Sequence, residues 1–370
     1  MNRDVVEKQM SALSECGWDA MIAISPENFT YVSGFVVPSP SIFRWRHTAL
    51  ITDRDGGTSA LSVDMEETTV RDNIGDTEVR VWREFDDDAM PVLADLIKDC
   101  GLASGQIGIE TDYLPARDMD RLKSLLPSVR WEPAQGQFNK MRQRKTPREI
   151  TLLRKLSRLT DQALKTALES VSEGSTEMDL AGALTAAIYR LGADQFRLMI
   201  VATGERSQYP NVGPTMRKLE RGDLIRLEIF GMQKGYHAGI CRTAVVGQSF
   251  AEADRIWTNL TACRDIVMEA IKPGVACREV YAKFLGKFEE LGFAPISFVG
   301  HGIGVFLHEE PYLGPDDSSE LEAGMVLGIE PLVYAPGRFG LQCKDMVTVT
   351  ESGCELLSDV TDVSSLFAVN

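Results

Sequence analysis

Along the first 140 positions, apolar residues come in short runs separated by helical patterns. DAMIAIS, TALIT, GTSALSV and QIGIE read as strands, and MPVLADLIKDCG reads as a helix ended by Gly101. That alternation predicts an α/β layer domain over residues 1–140. Near residue 140 the texture changes. After the basic run MRQRK, which reads as a linker, a helix start is written into the chain. Thr146 is placed as N-cap, Pro147 at the first helical position, and Glu149 where a capping box needs it. Leu152, Leu153, Leu156, Leu159, Ala163 and Leu164 then repeat near the 3.6-residue period and predict one apolar helix face. Further on, TEMDLAGALTAAIYRLG and ADRIWTNLTACRDIVMEAI read as helices, and KPGVACREVY as a turn and helix. RLMIVAT, GDLIRLEIFGMQKGYHAG, RTAVVG and the end of the chain read as strands. Helices packed on a curved antiparallel sheet, an α+β arrangement, are expected over 141–370.

Composition narrows the function without choosing it. At 370 residues, two domains are expected. Hydrophobic residues make up 44% and charged residues 25%, the balance of a globular chain with an ordinary core. A net charge of −15 argues against nucleic-acid and anionic-membrane surfaces, which need clustered Lys and Arg. No stretch approaches the roughly 20 apolar residues of a membrane span, and the N-terminal segment lacks a signal core. The seven cysteines are scattered and never spaced as CxxC. They read as reduced thiols of a cytoplasmic protein, with no zinc-finger pattern.

Several short motifs then occur in one order: TYVSGF at 30–35, IGIETDYLP at 107–115, KTPREITLLRK at 145–155, RGDLIRLEIFGMQKGYHAGICRTAVVG at 221–247, IKPGVACREV at 271–280, GHGIGVFLHEEPYL at 300–313 and EAGMVLGIEPLVYAPGRFGLQCKDMVTVTESGCELL at 322–357. Each alone is weak. Together, over nearly the whole chain, they resemble the family of Xaa-Pro dipeptidases, aminopeptidases P and creatinases. The resemblance implies a ribonuclease-H-like α/β N-terminal domain and a C-terminal pita-bread domain with the site inside its curved sheet. It also implies a homodimer in which the N-terminal domain of one subunit closes the other's site.

Peptidase members of that family bind two divalent metals through two Asp, one His and two Glu. Carried onto this chain, the first Asp falls on Glu228, the second on Gly239, the His on His301, the first Glu on Glu330 and the second Glu on Lys344. Glycine has no ligand, and an ammonium repels a dication. Glu228, Glu330 and Lys344 together carry a single negative charge. The expectation is therefore a metal-independent site with no cofactor, although one ion on His301, Glu330 and Glu228 stays open. Asp345 follows Lys344 on a strand and is expected to face away.

What remains predicts a hydrolase of a C–N bond in a small polar metabolite, resembling creatinases or ectoine hydrolases. Its catalytic residues would be His301, His308, Glu330 and Glu228, with imidazoles moving protons near neutral pH. Arg46, Tyr209, Lys344 and His237 are expected to bind substrate. Arg46 matches a creatinase arginine that takes a substrate carboxylate across the dimer interface, and a guanidinium fork suits that group. The loop GERSQYPNVGPTMRKLERGD lacks the histidine that creatinases place there. Two other readings remain open: an Xaa-Pro peptidase with an altered metal site, and a non-enzymatic binding domain. Arg242 is expected to form a structural ion pair.

Overall fold

The computed structural model describes residues 3–370. They fall into two compact units, Met1–Arg142 and Gln143–Asn370.

In the first unit a six-stranded mixed sheet runs in the order Glu78–Trp82, Thr58–Val63, Ala49–Asp53, Ala20–Ala23, Gln106–Ile109, Arg130–Pro133. The central strand Ala20–Ala23 is buried along its whole length, as a strand covered on both faces must be. It pairs antiparallel with Ala49–Asp53 and parallel with Gln106–Ile109. The four strands read from the sequence are present. Two were not read: Glu78–Trp82 and Arg130–Pro133. Both lie at sheet edges, where residues are partly exposed and the apolar run breaks down. The helix Ala89–Asp99 packs its leucine face on the core and is capped by the Asp88 side chain.

In the second unit the helix Pro147–Glu169 begins as the sequence predicts. The Thr146 side chain accepts from Glu149 N–H, and the Glu149 carboxylate accepts from Thr146 N–H. This helix packs on a hairpin of two long strands, Leu224–Gln233 and Tyr236–Val246, whose turn puts Lys234 and Gly235 at positive φ. Three sheets replace the one curved sheet expected. One has four strands, with the hairpin inside it and Phe367–Val369 pairing parallel at its edge. A second has five antiparallel strands and includes Gly300–Gly302, Val326–Ile329 and Asp345–Val349. The third is the small pair Leu332–Ala335 and Phe339–Gln342. A bridge between Cys241 and Lys344 ties the first of these to the second. An apolar core of Trp257, Leu260, Phe284, Phe288, Leu327 and Leu341 backs them. Among the described residues no helix is long and apolar enough to cross a membrane.

Candidate functional site

The hairpin fixes which side chains share a face. Glu228 lies opposite Cys241, Phe230 opposite Gly239, and Arg226 opposite Thr243. Cross-strand partners point the same way, so Arg226, Glu228 and Phe230 project from one surface. The Cys241–Lys344 bridge lays Lys344 beside them. In the neighbouring sheet His301 pairs with Gly328. A Cβ at Gly328 would stand 3.4 Å from His301 Nε2 and 3.5 Å from Lys344 Cε, so the glycine makes room for both.

Lys344 Nζ lies 3.0 Å from Glu330 Oε2 and 3.3 Å from Glu228 Oε1. Its side chain is 1% exposed, those of the two glutamates 8% and 6%. The Phe230 ring lies under the ammonium, 4.4 Å away, in cation–π range. Gln342 Nε2 donates to Glu330 Oε2 at 3.2 Å. The other oxygen, Oε1, faces His301 Nε2 at 3.4 Å. His301 Nδ1 is 2.8 Å from the Gly302 carbonyl, which can only accept, so Nδ1 carries the proton. Nε2 is thus left to face the Glu330 carboxylate. Beyond each other, neither Nε2 nor Oε1 has a polar partner, and both are buried. The His308 ring stacks on His301 at 3.6 Å and 10°, and the Phe298 ring meets both imidazoles edge-on.

Electrostatics follow from burial and from Lys344. Burial alone would raise the Glu330 pKa, but Lys344 and then His301 outweigh it and hold it well below the usual carboxylate range. Burial alone would lower the Lys344 pKa, but Glu330 and Glu228 outweigh it and hold the ammonium above its ordinary value. Burial, with His301 and Lys344 nearby, pushes His308 down to about 3, so its imidazole is neutral at physiological pH.

His301, His308, Glu330, Glu228 and Lys344 therefore converge. The other expected residues make contacts of their own. His237 is buried and ties its backbone N–H and Nδ1 to the Gly304 carbonyl, bracing the turn before His308; burial lowers its pKa to about 4. Tyr209 is half exposed, and its carbonyl accepts from Arg226. Arg46, in the first unit, pairs with Glu84 at 3.0 Å and lies over the Phe43 ring at 4.2 Å. Asp345 faces away as expected, bonded to Arg242, Arg264 and Ser358. Arg242 also pairs with Asp161 at 3.0 Å, the structural role expected of it. Sequence reasoning missed Phe230, Arg226 and Gln342. Each lies two residues from a named site residue, and the period-2 rule would have placed all three on its face.

The metallopeptidase family M24 model matches residues 151–351, and the creatinase/prolidase N-terminal domain model matches 6–144. The chain belongs to metallopeptidase family M24. A probable dipeptidase, PepE, of Mycobacterium tuberculosis is 33% identical over 246 residues, which cover 66% of this chain and 65% of that protein. An Xaa-Pro dipeptidase of Pyrococcus furiosus is 31% identical over 58% of this chain and 62% of its own. The chain thus spans just under two thirds of the length of these curated relatives. The crystal structure of a dipeptidase from Pyrococcus horikoshii is 25% identical, with a TM-score of 0.87 over 98% of this chain and 99% of that one.

Membership of this family overturns the expectation of a metal-independent site. The geometry concurs: ligand atoms of His301, His308 and Glu330 lie within 4.8 Å of one another. A proton or a cation between His301 Nε2 and Glu330 Oε1 would satisfy both, and two imidazoles with one carboxylate suit a borderline divalent ion. One ion fits these residues. Two ions do not, because Gly239 offers no ligand and Lys344 places an ammonium between the two glutamates.

Proposed function

We propose that this chain is a hydrolase of the peptide C–N bond in short peptides, Xaa-Pro dipeptidase-like, working with an altered metal site that holds one cation. The observation that carries the reading is the buried cluster of His301, His308 and Glu330, whose ligand atoms lie within 4.8 Å of one another and in which Nε2 and Oε1 make no contact but their own. His301, His308 and Glu330 would hold the ion. When bound, a divalent cation there supplies Lewis-acid polarisation of a carbonyl. The protein's own residues supply the rest. Lys344 and Gln342 fix Glu330 through Oε2 and leave Oε1 free to act. Glu228, whose carboxylate is held by Lys344, is placed to take or return a proton on the same face. Phe298 and Tyr312 pack against the imidazoles and hold their orientation. With an ion bound and Lys344 and Arg226 charged, this face favours a substrate that carries a carboxylate, as a dipeptide does.

The same reading includes a ribonuclease-H-like domain at 1–140, supported by the mixed sheet order given above, and a pita-bread domain at 141–370. It also includes a homodimer, supported by Ile42, Trp45 and Phe85, which expose 70%, 58% and 90% of their area. A cytoplasmic setting is supported by seven free thiols. The test is a panel of Xaa-Pro and non-proline dipeptides assayed with Mn²⁺, Co²⁺ or Zn²⁺. Turnover of at least one Xaa-Pro dipeptide is expected, with loss in both His301→Ala and Glu330→Gln. Absence of turnover with every metal, or turnover surviving both substitutions, would count against the proposal.

A further inference from the structure

We infer that Lys344 and Phe230 together occupy the place of a second metal ion, so that this chain admits one divalent cation at most. This rests on and deepens the one-cation reading, and adds Phe230 to it. Phe230 and Gly239 are direct cross-strand partners. The Phe230 ring folds over the glycine, and a Cβ built on Gly239 would collide with three ring carbons. An aspartate at 239 would therefore meet a ring where its carboxylate should go. That ring is also the floor on which the Lys344 ammonium rests, at 4.4 Å. Above it the ammonium is gripped by one oxygen each of Glu228 and Glu330. A cation site needs a positive centre, anionic oxygens around it and nothing else in the space. Here the positive centre is covalent, the oxygens are spent on it, and an aromatic ring fills the side where a further ligand would enter. Phe230 is thus as much a part of the altered site as Lys344, and restoring two carboxylates without removing the ring leaves the place shut.

The test counts ions. Metal-stripped protein is dialysed against excess Mn²⁺, desalted, and measured for metal per chain; electron paramagnetic resonance then reports whether two manganese spins couple. The parent is expected to hold about one ion with no coupled signal. Lys344→Glu, alone or with Gly239→Asp, is expected to gain none. Phe230→Gly, Gly239→Asp and Lys344→Glu combined should gain about one ion and show coupling. Two coupled ions in the parent overturn the inference. So does a folded triple variant that gains none, or a gain by Lys344→Glu alone. A parent holding no ion beside a triple variant that gains one upholds the inference and removes the one-cation reading instead. If the triple variant does not fold, the parent decides: two ions overturn, fewer uphold.

Discussion

Replacing Lys344 by methionine keeps most of the side-chain length and removes the charge. The structure sets the consequence. Lys344 is 1% exposed and is the shared counter-ion of Glu228 and Glu330, themselves 6% and 8% exposed. Without it two buried carboxylates lose their shared cation, and Glu330 keeps only Gln342 and His301 as partners. Deleting one partner of a buried pair costs about 3–5 kcal/mol. In a folding unit of this size that corresponds to a fall in Tm on the order of 10 °C. The folded-state pKa of Lys344 is raised, so its contribution is fully present below the ordinary lysine value of 10.5 and is lost only as pH rises through the folded value. A comparison at pH 7.5 therefore reads the whole effect. Urea unfolding in chelator, followed by circular dichroism, is the assay. Adding Glu228→Gln to the methionine variant removes the repulsion and should recover about half the loss, a coupling that a double-mutant cycle isolates. A methionine variant within about 1 kcal/mol of the parent, or a double variant less stable than the single, would refute the reasoning.

Three further outcomes are expected. Asp345→Asn breaks a fully buried network with Arg242 and Arg264 and should destabilise by about 3 kcal/mol at pH 7. Burial alone would raise the Asp345 pKa, but the two arginines hold it below its ordinary 3.8, so its contribution is present above that value and lost as pH falls through the folded one. The parent's acid limb should flatten in the variant, and an unchanged limb on acid titration speaks against this. Glu177, with its side chain fully buried, accepts from Thr203, Thr215 and Arg206 and so anchors both ends of the 203–215 segment. Glu177→Gln should speed amide exchange at Thr203 and Thr215 but not at Ile229, and equal rates at all three would contradict it. Thr146→Ala removes the cap of the long helix and should cost about 1 kcal/mol, read from urea midpoints.

What the sequence showed and what it hid have physical reasons. The capping box at Thr146 and Glu149 was legible because its chemistry is local, three residues apart. The central strands of the first unit were legible because burial on both faces makes them continuously apolar. The edge strand Arg130–Pro133 was not, because half its residues answer to solvent. GHGIGVFLHEE looked like continuous strand, yet it is strand only at Gly300–Gly302 and again from Glu309, because the chain turns at Gly304 to stack His308 on His301. Lys344 between Glu228 and Glu330 was expected from ligand positions. Phe230 was overlooked because the reading followed ligands rather than the volume left where a ligand is missing. The conclusion that lost ligands meant no metal failed for a related reason. It counted absent groups and did not see that His301, with Nδ1 committed to Gly302, must turn Nε2 onto Glu330.

The central claim is a single cation among His301, His308 and Glu330 with Lys344 still in place. Crystals grown with Co²⁺ and measured on both sides of its absorption edge test this directly. The account predicts one anomalous peak per chain, bonded to those three side chains, with the Lys344 ammonium between Glu228 and Glu330. Two peaks, a peak that displaces Lys344 onto Glu228, or no peak at saturating Co²⁺ would contradict it.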